Sequence, residues 1–124
     1  MPRIVADPRA QEYARLLVER SIDVQPEWQV MVISQPAARP LLEEVVRAAA
    51  SIGFRKFRLT GGEPTLRADI VDIVRRIASV PGVDDVAMTT NAIRLVDLAG
   101  PLRDAGLRRV NVHVDSLSAK TLPQ

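Results

Sequence analysis

The feature that most constrains this chain is an alternation between two hydrophobic periods. Stretches with apolar residues at helical spacing take turns with short apolar runs, and the connections between them are brief. Ala10, Tyr13, Ala14, Leu17 and Val18 recur at helical spacing from Pro8 to Arg20, behind Asp7 as cap and Pro8 in the first turn. Val30, Met31, Val32 and Ile33 then form a near-continuous run within Gln29–Ser34, as in a strand covered on both faces. A helix over Leu41–Ser51 ends at Gly53, and the strand Lys56–Thr60 follows. The helix Leu66–Ser79 turns Ile70, Ile73, Val74 and Ile77 inward. The strand Val86–Thr90, the helix Leu95–Asp104 and the strand Arg109–Val114 complete the order αβαβαβαβ.

That order predicts right-handed crossovers and a four-stranded parallel sheet, within a single α/β domain spanning 1–124. A three-layer sandwich of the flavodoxin or Rossmann kind is favoured over a half-barrel, because the first helix can cover one face. A half-barrel would leave two unpaired edges, so self-association by dimerisation or strand exchange is the expected partnership.

Composition removes several function classes. The chain has 124 residues, 47% of them apolar, with only Tyr13, Trp28, Phe54 and Phe57 as aromatics. A stacking platform for single-stranded nucleic acid needs more aromatic faces, and a net charge of +2 is no nucleic-acid footprint. No cysteine is present, which excludes disulfides, thiol catalysis and thiolate-held zinc or iron–sulfur clusters built from these residues. His113 is the only histidine, so no metal site is expected. No apolar run approaches a membrane span and no signal-peptide pattern opens the chain, so it reads as soluble and cytoplasmic in type.

In a parallel sheet, ligands bind beyond the carboxyl ends of the strands. Those ends carry Ser34-Gln35, Thr60-Gly61-Gly62-Glu63, Thr89-Thr90-Asn91 and His113-Val114-Asp115-Ser116. The second is the most informative. Gly61 and Gly62 allow positive φ and a close backbone approach, and Pro64 suits a first helical turn. Free N–H groups there would hold an anion, and Glu63 would hold an ammonium. The same residues also suit a plain βα turn, and spacing alone does not separate the two.

From Gly53 to Leu117 the sequence closely resembles the radical S-adenosylmethionine (SAM) GTP 3′,8-cyclase family of molybdenum cofactor synthesis. The likeness is carried by Phe54–Asp69 around Thr60-Gly61-Gly62-Glu63-Pro64, by Val80-Pro81-Gly82-Val83, by Thr89-Thr90-Asn91 and by Asn111–Leu117. It implies that Gly61, Gly62, Glu63, Pro64, Thr90 and Asn91 derive from a site for SAM. The family's usual Asn-Gly stands here as Asn91-Ala92. The resemblance also implies a Cys-x3-Cys-x2-Cys loop for a four-iron, four-sulfur cluster, which this sequence lacks.

Residues 1–50 carry a second likeness, to thermophilic-type metalloaminopeptidases, through Tyr13–Glu19, Val24-Gln25-Pro26 and Ala38–Arg47. Taken together, the two likenesses lead to the expectation of a chimera joined near 48–53. Such a chain would be an artificial or recombined folded domain with no catalytic residues, no enzymatic activity and no cofactor. SAM or a nucleotide phosphate would at most be held weakly, as a vestige, at the Gly-Gly-Glu-Pro loop.

Overall fold

The computed structural model describes residues 8–21 and 39–114. Helix α1 (Pro8–Arg15) runs into a π-helical turn at Leu16–Ser21, and α2 spans Arg39–Ser51. Then come β1 (Lys56–Leu59), a 3₁₀ turn (Pro64–Leu66), α3 (Ile70–Ala78), β2 (Asp85–Thr90), α4 (Leu95–Asp104) and β3 (Arg109–Val112). β1 pairs with β2 and β2 with β3, both parallel, in the order β1-β2-β3. An open parallel α/β sheet is thus present, with three strands among the described residues where four were expected. The expected strand Gln29–Ser34 lies outside the described residues, as do Asp7, Trp28, Ser34-Gln35 and Asp115-Ser116.

Strand order decides where the helices go. Each crossover steps one strand further in the same direction, so right-handed connections place α3 and α4 on one face of the sheet. That face forms the main core. Ile70, Ile73, Val74 and Ile77 of α3 pack with Val86 and Met88 of β2, Leu102 and Ala105 of α4, and Val46 and Ala50 of α2. Side chains alternate along a strand, so Phe57 and Leu59 lean into this core while Lys56 and Arg58 stay exposed. The register aligns Arg58 with Ala87 and Ala87 with Arg109. Lys56, Arg58, Thr89, Arg109 and Asn111 therefore share the face turned away from α3 and α4. The first helix does not cover it: Ala14 and Val18 pack on Val45 and Ala48 of α2 instead.

The start of the third helix differs from expectation for a local reason. The third helix was expected from Leu66 but begins at Ile70. Glu63 caps the short 3₁₀ turn by accepting from the Thr65 N–H, and Arg67 is extended (φ −75°, ψ 127°), so the helix has to start afresh. Leu66, expected as the first residue of that helix, is 69% exposed. The strands are also shorter than expected at their carboxyl ends, with Thr60 beyond β1 and His113 and Val114 beyond β3.

Candidate ligand site at the strand ends

Glu63 occupies the junction between the ends of β1 and β2. Gly61 (φ 95°) and Gly62 (φ 39°) turn the chain back after β1, in conformations that side chains resist. The turn delivers the Glu63 carboxylate to the end of β2. Its Oε1 accepts from the Thr65 N–H (3.1 Å), the Thr65 hydroxyl (2.6 Å) and the Thr90 hydroxyl (2.5 Å). Its Oε2 accepts from the Asn91 N–H at 2.7 Å. Burial works to raise the carboxyl's pKa, but the hydroxyls of Thr65 and Thr90 and the amides of Asn91 and Thr65 outweigh it. Together they lower it from 4.5 to about 2, so the group is ionised at any physiological pH.

The surrounding loop is tied down as well. The Thr90 Oγ1 accepts from the Ala92 N–H at 3.1 Å, and the Asn91 Oδ1 accepts from the Ile93 N–H at 3.1 Å. Arg94 at the start of α4 donates to the Thr65 carbonyl at 3.2 Å. The His113 N–H donates to the Thr90 carbonyl at 2.9 Å, bringing the end of β3 alongside.

Of the residues predicted for the site, Glu63, Thr90 and Asn91 meet in direct contact. Gly61 and Gly62 form the exposed turn beside them, and Pro64 is buried as the first residue of the 3₁₀ turn. Sequence reasoning missed Thr65 and Arg94. Thr65 has a local signal, a hydroxyl two residues beyond a capping carboxylate, whereas nothing local marks the reach of Arg94 to the Thr65 carbonyl. It also missed the basic face, although the alternation Lys56-Phe57-Arg58-Leu59 carries it openly. Arg109 on that face is paired with Asp85, which leaves Lys56 and Arg58 as its cations without an ion-pair partner described.

A carboxylate and a Gly-Gly turn stand at the carboxyl ends of parallel strands of an α/β protein, the edge where such sheets place their ligand sites. The Radical SAM superfamily matches residues 37–123, well over half of the chain, and the chain belongs to that superfamily. It is 56% identical to the GTP 3′,8-cyclase of Picosynechococcus sp. over 84 residues, which is 68% of this chain and 25% of that protein. It is 51% identical to the GTP 3′,8-cyclase of Pelotomaculum thermopropionicum over 78 residues, 63% of this chain and 24% of that one. The Acaryochloris marina enzyme of the same name is 48% identical over 100 residues, 77% of this chain and 30% of the relative. The chain thus spans 24% to 30% of the length of these curated relatives.

These likenesses correct the chimera. The superfamily match begins at 37 and runs through 48–53 without a break, so α2 belongs with the sheet and not with an aminopeptidase. The expectations of an artificial domain, of no enzymatic role and of no cofactor are overturned with it, since the relatives are enzymes of a SAM-dependent superfamily. SAM fits the residues present: Glu63 offers a fixed anion for its ammonium, and a side chain at Gly61 or Gly62 would point into open space. An iron–sulfur cluster does not fit them. It needs thiolates, the 124 residues contain no cysteine, and no group of three or more His, Cys, Asp or Glu comes together among the described residues. No helix among the described residues is long and apolar enough to cross a membrane.

Proposed function

We propose that this chain is the part of a GTP 3′,8-cyclase-type radical SAM enzyme that holds SAM and offers a basic sheet face to the nucleotide. One observation carries the reading. A carboxylate kept ionised by four hydrogen bonds stands where β1 and β2 end, on the motif shared with SAM-dependent relatives. When bound, SAM supplies the radical chemistry for which the superfamily is named.

The chain's own residues do the holding. Glu63 receives the ammonium through Oε2, and the Gly61-Gly62 turn lets the ligand approach the backbone. Lys56 and Arg58 face away from the helices, where a triphosphate would find two cations on one strand. The sequential strand order, with α3 and α4 on one face, supports a curved half-barrel over the sandwich. Its open side is then the natural place for the nucleotide. No step is assigned to a cluster, because these residues have no means of binding one.

Calorimetric titration of the full 124-residue chain tests both halves. SAM is expected to bind, and Glu63→Gln to weaken it about tenfold or more, the worth of a charge-assisted hydrogen bond. GTP is expected to bind separately, with Arg58→Ala weakening GTP by a similar factor and leaving SAM unchanged. Absence of SAM binding by the unaltered chain would sink the reading.

A further inference from the structure

We propose that Thr65 and Thr90 are positioning residues: their buried hydroxyls occupy Glu63 Oε1 and so reserve Oε2 for the ligand's ammonium. The inference rests on the reading of the site as a SAM holder and goes beyond it, because neither hydroxyl needs to touch the ligand.

The geometry assigns the two carboxylate oxygens different work. Oε1 takes three donors and has no lone-pair direction left for a fourth. Among the described residues Oε2 takes only the Asn91 N–H, which leaves it able to accept again. The hydroxyls are not free to turn elsewhere. Thr65 is 0% and Thr90 2% exposed, so water cannot replace the carboxylate as their partner. Thr90 is fixed further, since its Oγ1 accepts from the Ala92 N–H and its single proton is thereby directed at Glu63. A carboxylate bonded this way cannot rotate, and its charge is present before any ligand arrives. Preorganisation of this kind strengthens binding by removing the cost of ordering the group.

A change at either threonine should therefore reach the ligand through the ionisation of Glu63. The charged groups on the strands that meet here are Lys56 and Arg58 on β1, Asp85 on β2 and Arg109 on β3, with Arg67 and Asp69 ahead of α3, Arg94 and Asp97 at the start of α4, and His113 after β3. Arg67 and Asp69 bond each other at 3.0 Å. With Glu63 at about 2, SAM affinity should stay level as pH falls from 7 to about 4. Removing a donor raises that pKa, so the loss of affinity on acidification begins at a higher pH.

Two measurements on the full chain test this. The first follows the Glu63 side-chain carboxyl carbon by ¹³C NMR from pH 2 to 7 without ligand, in the unaltered chain and in Thr65→Val, Thr90→Val and Thr90→Ser. The two valine variants should titrate at visibly higher pH, and Thr90→Ser should match the unaltered chain. The second repeats the SAM titration across the same pH range. It should show about tenfold weaker binding for each valine variant at pH 7, with the acid limb moved upward. Urea unfolding of each variant separates this from loss of fold, since instability alone does not move an acid limb. Unchanged carboxyl titration in Thr90→Val and Thr65→Val overturns the proposal. So does an unmoved acid limb beside a shifted carboxyl titration. If the unaltered chain fails to bind SAM, the ligand role falls for Glu63 and both threonines alike. The NMR titration, which needs no ligand, shows which of the two claims has failed.

Discussion

Ala92 holds its backbone at φ 65°, in the left-handed region, and it is the sole non-glycine to do so among the described residues. The loop demands it. Thr90 Oγ1 has to receive the Ala92 N–H while the Ala92 carbonyl accepts from Leu95 at 3.0 Å to start α4. A Cβ in this conformation costs about 1–2 kcal/mol, which explains why a glycine suits the position better. Ala92→Gly should relieve that strain but return about 0.4–1 kcal/mol of chain entropy to the unfolded state. The expected result is a net gain of about 0.5–1 kcal/mol, read as a higher urea midpoint at constant slope. An equal or lower midpoint would show that the loop tolerates the alanine without strain. Glu63, Thr90 and Asn91 were readable from sequence for a physical reason: each stands at a strand end, where parallel sheets expose polar groups. Arg94 was not, because its role depends on a carbonyl 29 positions away, whereas Thr65 was missed although its contact with Glu63 spans only two residues. No local pattern encodes which carbonyl a guanidinium will reach.

The elements follow the same division. The apolar stripe Ile70-Ile73-Val74-Ile77 was legible because its spacing repeats and all four residues end buried against β2. The start of α3 was not, since it was decided by the capping of the preceding 3₁₀ turn and not by periodicity. The joint after α4 is also set by packing. Gly106 lies at φ 109°, and a Cβ there would come within 2.6 Å of the Ala78 Cβ at the end of α3. Both the conformation and the contact exclude a side chain. α3 and α4 lie on one face of the sheet, so this close approach fixes how far apart their C-terminal ends can sit. Gly106→Ala should cost about 2 kcal/mol or more, from left-handed strain plus displacement of Ala78. Chemical denaturation would register it as a lower midpoint, and Ala78→Gly in the same chain should recover the part due to the clash. A double variant no better than Gly106→Ala would assign the whole cost to backbone strain.

At the scale of the molecule, the consequence of sequential strand order is that β3 is an outer strand among the described residues. The strand pairs with β2 on one side, and among the described residues no strand pairs its other side. All four of its residues are exposed, and Val112 and Val114, 53% and 50% exposed, extend the apolar character past its end. An edge of this sort is a template for another strand, and it carries neither the lysines nor the prolines that usually blunt one. We propose that the chain self-associates through it, β3 against β3 of a second copy, which two-fold symmetry permits as an antiparallel pair. Sedimentation equilibrium over a hundredfold range of concentration should then show a mass rising from one chain toward two. Val112→Lys should hold the mass at one chain by placing a charge on the edge, without disturbing Met88 or Leu102 in the core. If the unaltered chain stays at a single-chain mass throughout, the edge is covered by other means. If Val112→Lys dimerises as well, the contact lies elsewhere. The proposed SAM site at Glu63 belongs to β1 and β2, one strand inward from this edge. Pairing at β3 should therefore leave SAM affinity independent of concentration, which the same samples can establish by titration.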